Sequence, residues 1–507
     1  MNKLTFSTYT QKHGGRVSLL FLLFLLAIYQ FVEAGFNSFA IICLLPIIAL
    51  IVISTFHYRM FFFWVLIGIN YIIQWHSVPL PSGIPMSMYN EMFELILLAS
   101  AIIDVKEAKF ERCANIMFLA LIAWGLYCTL EVFNNTSSLG MQVGAWYSGA
   151  RMMAFQLVYA FLVYTLYITN PKLLIKYLYV WGFLALFAVF WVWKQQQFGL
   201  TSAENSFLQG RGRTTHLLQG GTLIRYFSIY GDAANFGIGI ASTAVSFLIF
   251  GITQKIKRHR YFFLAIGLAC TWAMFPSGTR TATFCLIAGV VVYIFLSKSF
   301  KIAIPVTILF GIAFFILAFT TIGNSNQSIR RMRSAFDKND ASSNQRTINQ
   351  AVMKKYLADA PFGLGIGMGY ENVPANNKYR KLATIPPDSE YVFIWIHTGA
   401  VGITVFLILT AVIFIGAAWI VFFNIKNPAL RGIGAGLCCS FVSIQLGGYG
   451  NQVLMQFPNC LVFYGGLSIV YILPYLEKDW IEYEKEQLEK EAQKKQLKQE
   501  KKRASRV

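Results

Sequence analysis

Residues 390–423 read EYVFIWIHTGAVGITVFLILTAVIFIGAAWIVFF, and Glu390 is the one charged side chain among them. About 20 apolar residues in a helix cross the hydrocarbon core of a bilayer. This stretch exceeds that length and reads as a membrane-spanning helix. Working outward, comparable apolar runs occupy 17–32, 39–56, 60–75, 86–103, 114–133, 151–169, 173–193, 232–252, 261–276, 279–296, 300–322, 432–449 and 455–475, which makes fourteen with the first. The 86–103 run, interrupted by Glu91 and Glu94, and the hairpin around Pro276 carry the weakest signal. The whole chain of 507 residues is 56% hydrophobic and 16% aromatic, with a mean hydropathy of +0.53. Its charged share is 13%, against about 25% in a soluble domain. Composition therefore excludes a soluble enzyme and a disordered scaffold. The expected fold is an all-α polytopic membrane bundle over 17–475, with 12–14 spans.

The eight cysteines lie in or beside apolar runs with no Cys-x-x-Cys spacing, and read as small packing residues. No small-residue cleavage site follows the first apolar run, so 17–32 is expected to stay as a helix.

The net charge of +20 needs an address. Basic residues concentrate in the cytoplasmic loops of membrane proteins. With a cytoplasmic N-terminus, seventeen Lys and Arg fall in inside loops, and the short outside loops at 33–38, 76–85, 134–150 and 450–454 hold none. Both termini are then expected in the cytoplasm. The tail 476–507 mixes ten basic with eight acidic residues and reads as an exposed charged helix. Sixteen basic residues remain, all on the outer side. Arg151 and Arg280 sit at helix mouths, Lys194, Arg211, Arg213 and Arg225 lie in the loop at 194–231, and ten more occupy the loop at 323–389. In that long loop Ser343 is a suitable N-cap for a helix to about Ala358, which Pro361 ends before FGLGIGMGY. Without a strand before these glycines, a wrapping loop fits them better than a dinucleotide site.

Three of the outer clusters combine Arg with polar or acidic partners. RYFSIYGDAANFG carries Arg225, Asp232 and Asn235, PSGTRTATF carries Arg280, and the segment from Arg346 to PPDSEY ends in Asp388 and Glu390. Charges at the mouth of a membrane bundle are costly to bury and point to function. Guanidinium forks suit a diphosphate, and such a clamp stabilises a diphosphate leaving group without a metal. Asp388, Glu390, His216 and His397 are the available bases for an attacking hydroxyl. The basic balance alone also admits nucleic acid. Its placement on the outer face points instead to an anionic lipid-diphosphate.

In this order the clusters resemble the bacterial O-antigen ligase and polymerase superfamily. The resemblance covers about 225–405, through RYFSIYGDAANFG, SGTRTATF, NQRTINQAVMKKYLADAPFGLGIGMG and EYVFIWIHTGAVGI. It implies a glycosyltransferase bundle of the GT-C-like kind, with one long periplasmic loop holding a short helix. The implied reaction moves a glycan from an undecaprenyl diphosphate carrier to an acceptor hydroxyl at the periplasmic face of the inner membrane. A lipid-linked glycan donor, a glycan, lipid or protein acceptor, and membrane lipids are the implied partners, with no cofactor, no metal and no nucleic acid. Arg211, Arg213, Arg225, Arg280 and Arg346 are then the residues for the diphosphate and glycan. Asp388, Glu390 and Arg280 are the catalytic candidates. Ligases of the family carry a His-Asn pair where this chain has Asp388-Ser389. Either Asp388 serves as base or orienter, or the arginines act alone. The departure favours a polymerase over a ligase that delivers finished glycan to lipid A core or protein. A lipid-linked oligosaccharide flippase is the alternative from another class, although it should carry its charges nearer mid-membrane.

Overall fold

The computed structural model describes residues 58–78, 86–218, 223–298, 341–367 and 373–504, together with scattered positions elsewhere. The chain divides into Met1–Phe63 and Trp64–Val507. In the first unit the described positions between 14 and 32 are helical.

In the second unit, helices follow the apolar runs. They are α1 (Arg59–Ile72, begun in the first unit), α2 (Met86–Ile103), α3 (Ile116–Leu130), α4 (Val143–Ala150) and α5 (Gln156–Tyr167). Then come α6 (Pro171–Phe198), α7 (Ser202–Gln209), α8 (Ala233–Thr253), α9 (Lys257–Ala273) and α10 (Arg280–Leu296). Last are α11 (Ala341–Leu357), α12 (Glu390–Trp419), α13 (Pro428–Gly450) and α14 (Gly465–Ala504). One two-residue hairpin, Leu217–Leu218 with Leu223–Ile224, is the strand content among the described residues. Among the described residues, seven helical segments can cross a membrane by length and composition, and Arg59–Ile72 and Arg280–Leu296 are shorter apolar helices. α2 and α9 fill the expected runs 86–103 and 261–276 but are more polar, through Asn90, Glu91 and Glu94 in one and a Lys257–Arg260 start in the other. The runs at 17–32, 39–56 and 300–322 lie outside the described residues, apart from scattered positions.

Local chemistry sets the helix starts. Asn170 and Asn427 each cap a helix that begins with proline, at Pro171 and Pro428, and Asn115 caps α3. The core is the packing of α8 against α9, α10 and α13. Helices in lipid gain little from hydrophobic burial against each other, so close backbone approach and interhelical hydrogen bonds matter more. A Cβ on Gly436 would stand 2.5 Å from the Phe250 ring, and Ser246 donates to the Gly436 carbonyl at 3.2 Å. Ser443 donates across to Cys285 O at 2.8 Å. By contrast, the most apolar stretch of the 390–424 segment is only 22% buried, so most of its apolar surface lies on the outside of the bundle.

One expectation changes, and the tail gains a detail. Arg151, read as a mouth residue, lies inside a continuous helical segment that begins at Val143. There its side chain is 4% exposed, pairs with Glu91 at 3.4 Å and donates to Ser87 Oγ at 2.8 Å. A paired charge can stay inside the bundle, which is why the helix starts earlier than its apolar run. The charged tail is helical. It continues the last membrane segment without a break to Ala504, with Trp480 and Glu484 buried.

Candidate functional site

The loop before α8 is folded around Arg225. Its backbone N–H donates to His216 O at 2.9 Å, which closes the small hairpin. Its guanidinium then donates from Nε to Ser277 O at 3.1 Å, from Nη1 to Thr215 O at 3.0 Å and from Nη2 to Thr279 Oγ1 at 3.0 Å. Thr279 in turn donates to Ala233 O at 2.9 Å. One arginine thus ties the start of α8 to the start of α10.

Asp232 caps α8, accepting from Ala234 N at 2.7 Å and Asn235 N at 2.8 Å. His216 completes that start, since its Nε2 accepts from Ala233 N at 3.0 Å and its Nδ1 lies 3.1 Å from Gly212 O. This pattern requires the neutral ring with the proton on Nδ1. Burial lowers the His216 pKa to about 4, opposed by Asp232 and aided by Arg225. His216 is thereby a helix-start acceptor, with its base nitrogen engaged. Asn235 donates to Phe457 O at 2.8 Å and accepts from Asn459.

Arg280 opens α10 and is half-buried. The residue before it, Thr279, spends its hydroxyl on Ala233 O and makes no side-chain cap. α12 begins the same way, because Ser389 donates to Gly448 O at 3.0 Å and does not cap the helix. Helix starts present N–H groups and a partial positive charge, and so favour anions.

α11 brings the third cluster alongside. Arg346 Nη2 donates to Gly450 O at 2.8 Å, at the end of α13. A Cβ on Gly450 would lie 2.5 Å from Thr281 Oγ1, so the first turn of α10 is in contact there. Arg346, Asn349, Gln350, Pro386 and Asp388 line a narrow crevice. Asp388 is exposed on its rim, whereas Glu390 is buried and accepts from Leu454 N at 3.0 Å. A neighbouring groove of about 260 Å³ runs between Tyr391, Trp395, Ile403 and Tyr449. Arg225, Arg280 and Arg346 are thus linked through Thr279, Thr281 and Gly450. Arg211 and Arg213 stay exposed on the turn that leads to His216. His397 lies inside α12, with Nδ1 at 2.9 Å from Phe393 O.

The glycine loop fastens α11 to α12. Gly399 breaks α12 with φ 68°. The carbonyls freed by the break are met by the loop, Leu364 N donating to Ile396 O at 2.8 Å and Gly365 N to His397 O at 3.0 Å, while Val401 N donates back to Pro361 O at 3.0 Å. Tyr127 OH donates to Thr398 O at 3.0 Å. A Cβ on Gly363 would meet Gly399 N at 2.5 Å, so both positions need glycine. The wrapping reading of these glycines holds at this break.

These connections join motifs scattered over more than 160 residues into one end of the bundle. Residues 262–407 match the O-antigen ligase family model. The match bears out the resemblance carried by the motifs, and it contains Arg280, Arg346, Asp388 and Glu390 while ending short of Arg225. No curated protein sequence matches the chain. Sequence reading missed several residues that fasten this end of the bundle, above all Asn459, which donates to Asn235, Gln452, which donates to Pro387 O, and Gly450, which accepts from Arg346. Gly450 and Gln452 lie in the outside loop at 450–454, noted only for lacking basic residues, and Asn459 lies in the apolar run 455–475. Among the described residues no group of three or more His, Cys, Asp or Glu side chains could hold a metal ion.

Proposed function

We propose that the protein is a polysaccharide polymerase, transferring a growing glycan from an undecaprenyl diphosphate carrier to the hydroxyl of an acceptor sugar. In this reading fourteen helices cross the inner membrane, both termini are cytoplasmic and the arginine-bearing end is periplasmic. The observation that carries the proposal is the meeting of Arg225, Arg280 and Arg346 around the starts of α8 and α10. Arg280 and the uncapped first turn of α10 take the diphosphate, and Arg225 holds the α8 and α10 starts in register. Arg346 sets the long loop over the acceptor, with Arg211 and Arg213 as further contacts for glycan.

The acceptor oxygen attacks the anomeric carbon, the bond from that carbon to the diphosphate oxygen breaks, and the hydroxyl proton leaves to a base. Asp388 is the carboxylate with access to solvent and acceptor. Glu390 acts behind it, since its bond to Leu454 N fixes the turn on which Asp388 sits. Guanidinium groups aimed at the leaving group neutralise charge that builds in the transition state.

The family description itself favours a second reading, ligation of a finished glycan onto lipid A core or protein. Purified protein with a lipid-linked repeat unit alone separates the two. A ladder of longer lipid-linked products marks a polymerase, and no reaction until lipid A core or peptide is added marks a ligase. Transport of the labelled lipid without any new glycosidic bond would overturn both in favour of a flippase. In the same assay Asp388→Ala should lower the rate at least about a hundredfold, the usual scale for a lost general base. An unchanged rate removes Asp388 from the site.

A further inference from the structure

The last helix has two halves of opposite charge. Glu477–Glu491 holds seven acidic and three basic residues, and 492–507 holds seven basic and one acidic. The acidic half is docked on the end of the bundle remote from the arginines. Glu477 accepts from Lys426 N and Asn427 N, Glu484 accepts from Asn427 Nδ2 at 2.9 Å and pairs with Lys255 at 3.1 Å, and Glu491 accepts from Lys257 N and Arg258 N. These carboxylates recur every seventh residue, so one face of the helix stays in contact over about 21 Å. The connections it touches, Gln254–Ile256 and Ile425–Asn427, are three residues each. Such shallow connections cannot flank 21 Å of helix standing upright. From Glu477 to Glu491 the helix is therefore inclined over the end of the bundle.

Beyond Glu491 the described side chains are all exposed. At 100° per residue, positions 494, 495, 498, 501 and 502 fall within about 120° of the circumference, and that arc contains positions 477, 484 and 491. All five are lysine. The face that meets the protein therefore becomes a lysine face where the protein stops.

We propose that this lysine face is a docking surface for anionic lipid headgroups of the leaflet around the bundle. Past the edge of a membrane protein, the surface level with its helix ends is the headgroup layer. Clusters of four to eight basic residues next to a spanning helix bind such a layer electrostatically. The inference uses the topology of the proposed function for one point, that the leaflet is the cytoplasmic one.

The test is hydrogen exchange of the backbone amides of 493–503, on the full chain in nanodiscs. Discs of phosphatidylcholine are compared with discs containing about one-third phosphatidylglycerol. Exchange should be at least about tenfold slower in the anionic discs, and the protection should vanish in high salt. The combined variant Lys494→Gln, Lys495→Gln and Lys498→Gln should exchange in both discs as the parent does in the neutral one. Equal exchange of the parent in both lipids overturns the proposal, whether fast or protected, since protection without anionic lipid means a protein surface holds the helix. Protection that survives the lysine changes overturns it as well. Nanodiscs offer both leaflets and no glycan, so a wrong topology or a failed polymerase reading leaves this result untouched.

Discussion

The two ends of the bundle satisfy backbone groups with a different balance of charges. Asp232 and Glu390 accept backbone bonds at the arginine end, and arginines accompany them there. At the arginine end, cations meet carbonyls, as Arg225 does at Ser277 and Thr215 and Arg346 at Gly450. At the other end, carboxylates meet N–H groups, as Glu477 does at the start of α13 and Glu491 at the start of α9. The consequence is asymmetric. Glutamates on a docked helix cancel the positive helix starts beneath them, whereas the starts of α10 and α12 lack a side-chain cap and lie beside arginines. In the proposed function, the arginine end is the one that takes an anionic substrate.

The sharpest way to break this comparison is to remove a charge at each end. Arg280→Ala should lower glycan transfer by about a hundredfold or more, the scale seen for a lost transition-state donor. Glu491→Gln should leave the rate within about twofold, because its bonds to Lys257 N and Arg258 N are long, at 3.4 and 3.3 Å, and lie at the far end. Rates are compared at equal amounts of folded protein. A large loss from Glu491→Gln, or none from Arg280→Ala, would dissolve the distinction between a ligand end and a docking end.

The next effect is on stability. Glu484 is buried on the face by which the last helix meets the bundle, and serves both Asn427 Nδ2 and Lys255. Glu484→Ala leaves the buried amide of Asn427 without this acceptor and should cost about 2 kcal/mol, the range for an orphaned polar group. Lys255 is 48% exposed and adds little to that figure. Thermal unfolding in detergent should show the lower midpoint, with glycan transfer by the remaining folded protein unchanged. An unchanged midpoint would mean that the acidic half merely rests on the bundle.

How far the sequence could be read follows from the same contrast. Apolar runs are dictated by the membrane, so each run that falls within the described residues coincides with a helix. The gathering of Arg225, Arg280 and Arg346 was legible only as order along the chain, because Thr279, Thr281 and Gly450, which join them, are small residues with no periodic signal. Arg151 was misplaced since a helix that holds its own counter-ion, Glu91, need not begin where apolarity begins. The docked tail was missed for a related reason. Glu477, Glu484 and Glu491 look like any solvated charges until the backbone N–H groups they serve are brought beneath them. Asp388 and Glu390 stand two apart in sequence, and only packing against the 451–455 segment turns one outward and the other in.

The smallest expected effect bears on the arginine end alone. His216 must be neutral to accept from Ala233 N, and burial holds its pKa near 4, below the ordinary value of about 6.5. A depressed histidine pKa means that the unfolded chain takes up a proton first as pH falls. Stability from this group is complete above pH 6.5 and declines from there towards pH 4. Between pH 7 and pH 5.5 the decline should be about 1 kcal/mol. His216→Gln offers an acceptor oxygen near the position of Nε2 and does not titrate. The parent should therefore lose more unfolding free energy than this variant over that interval. His259, also lowered to about 4 by burial first and Arg258 second, is present in both proteins and cancels in the difference. Equal losses in parent and variant would show that the α8 start does not depend on a neutral ring at position 216. The protonation state at the arginine end would then place no limit on how acidic its surroundings can become.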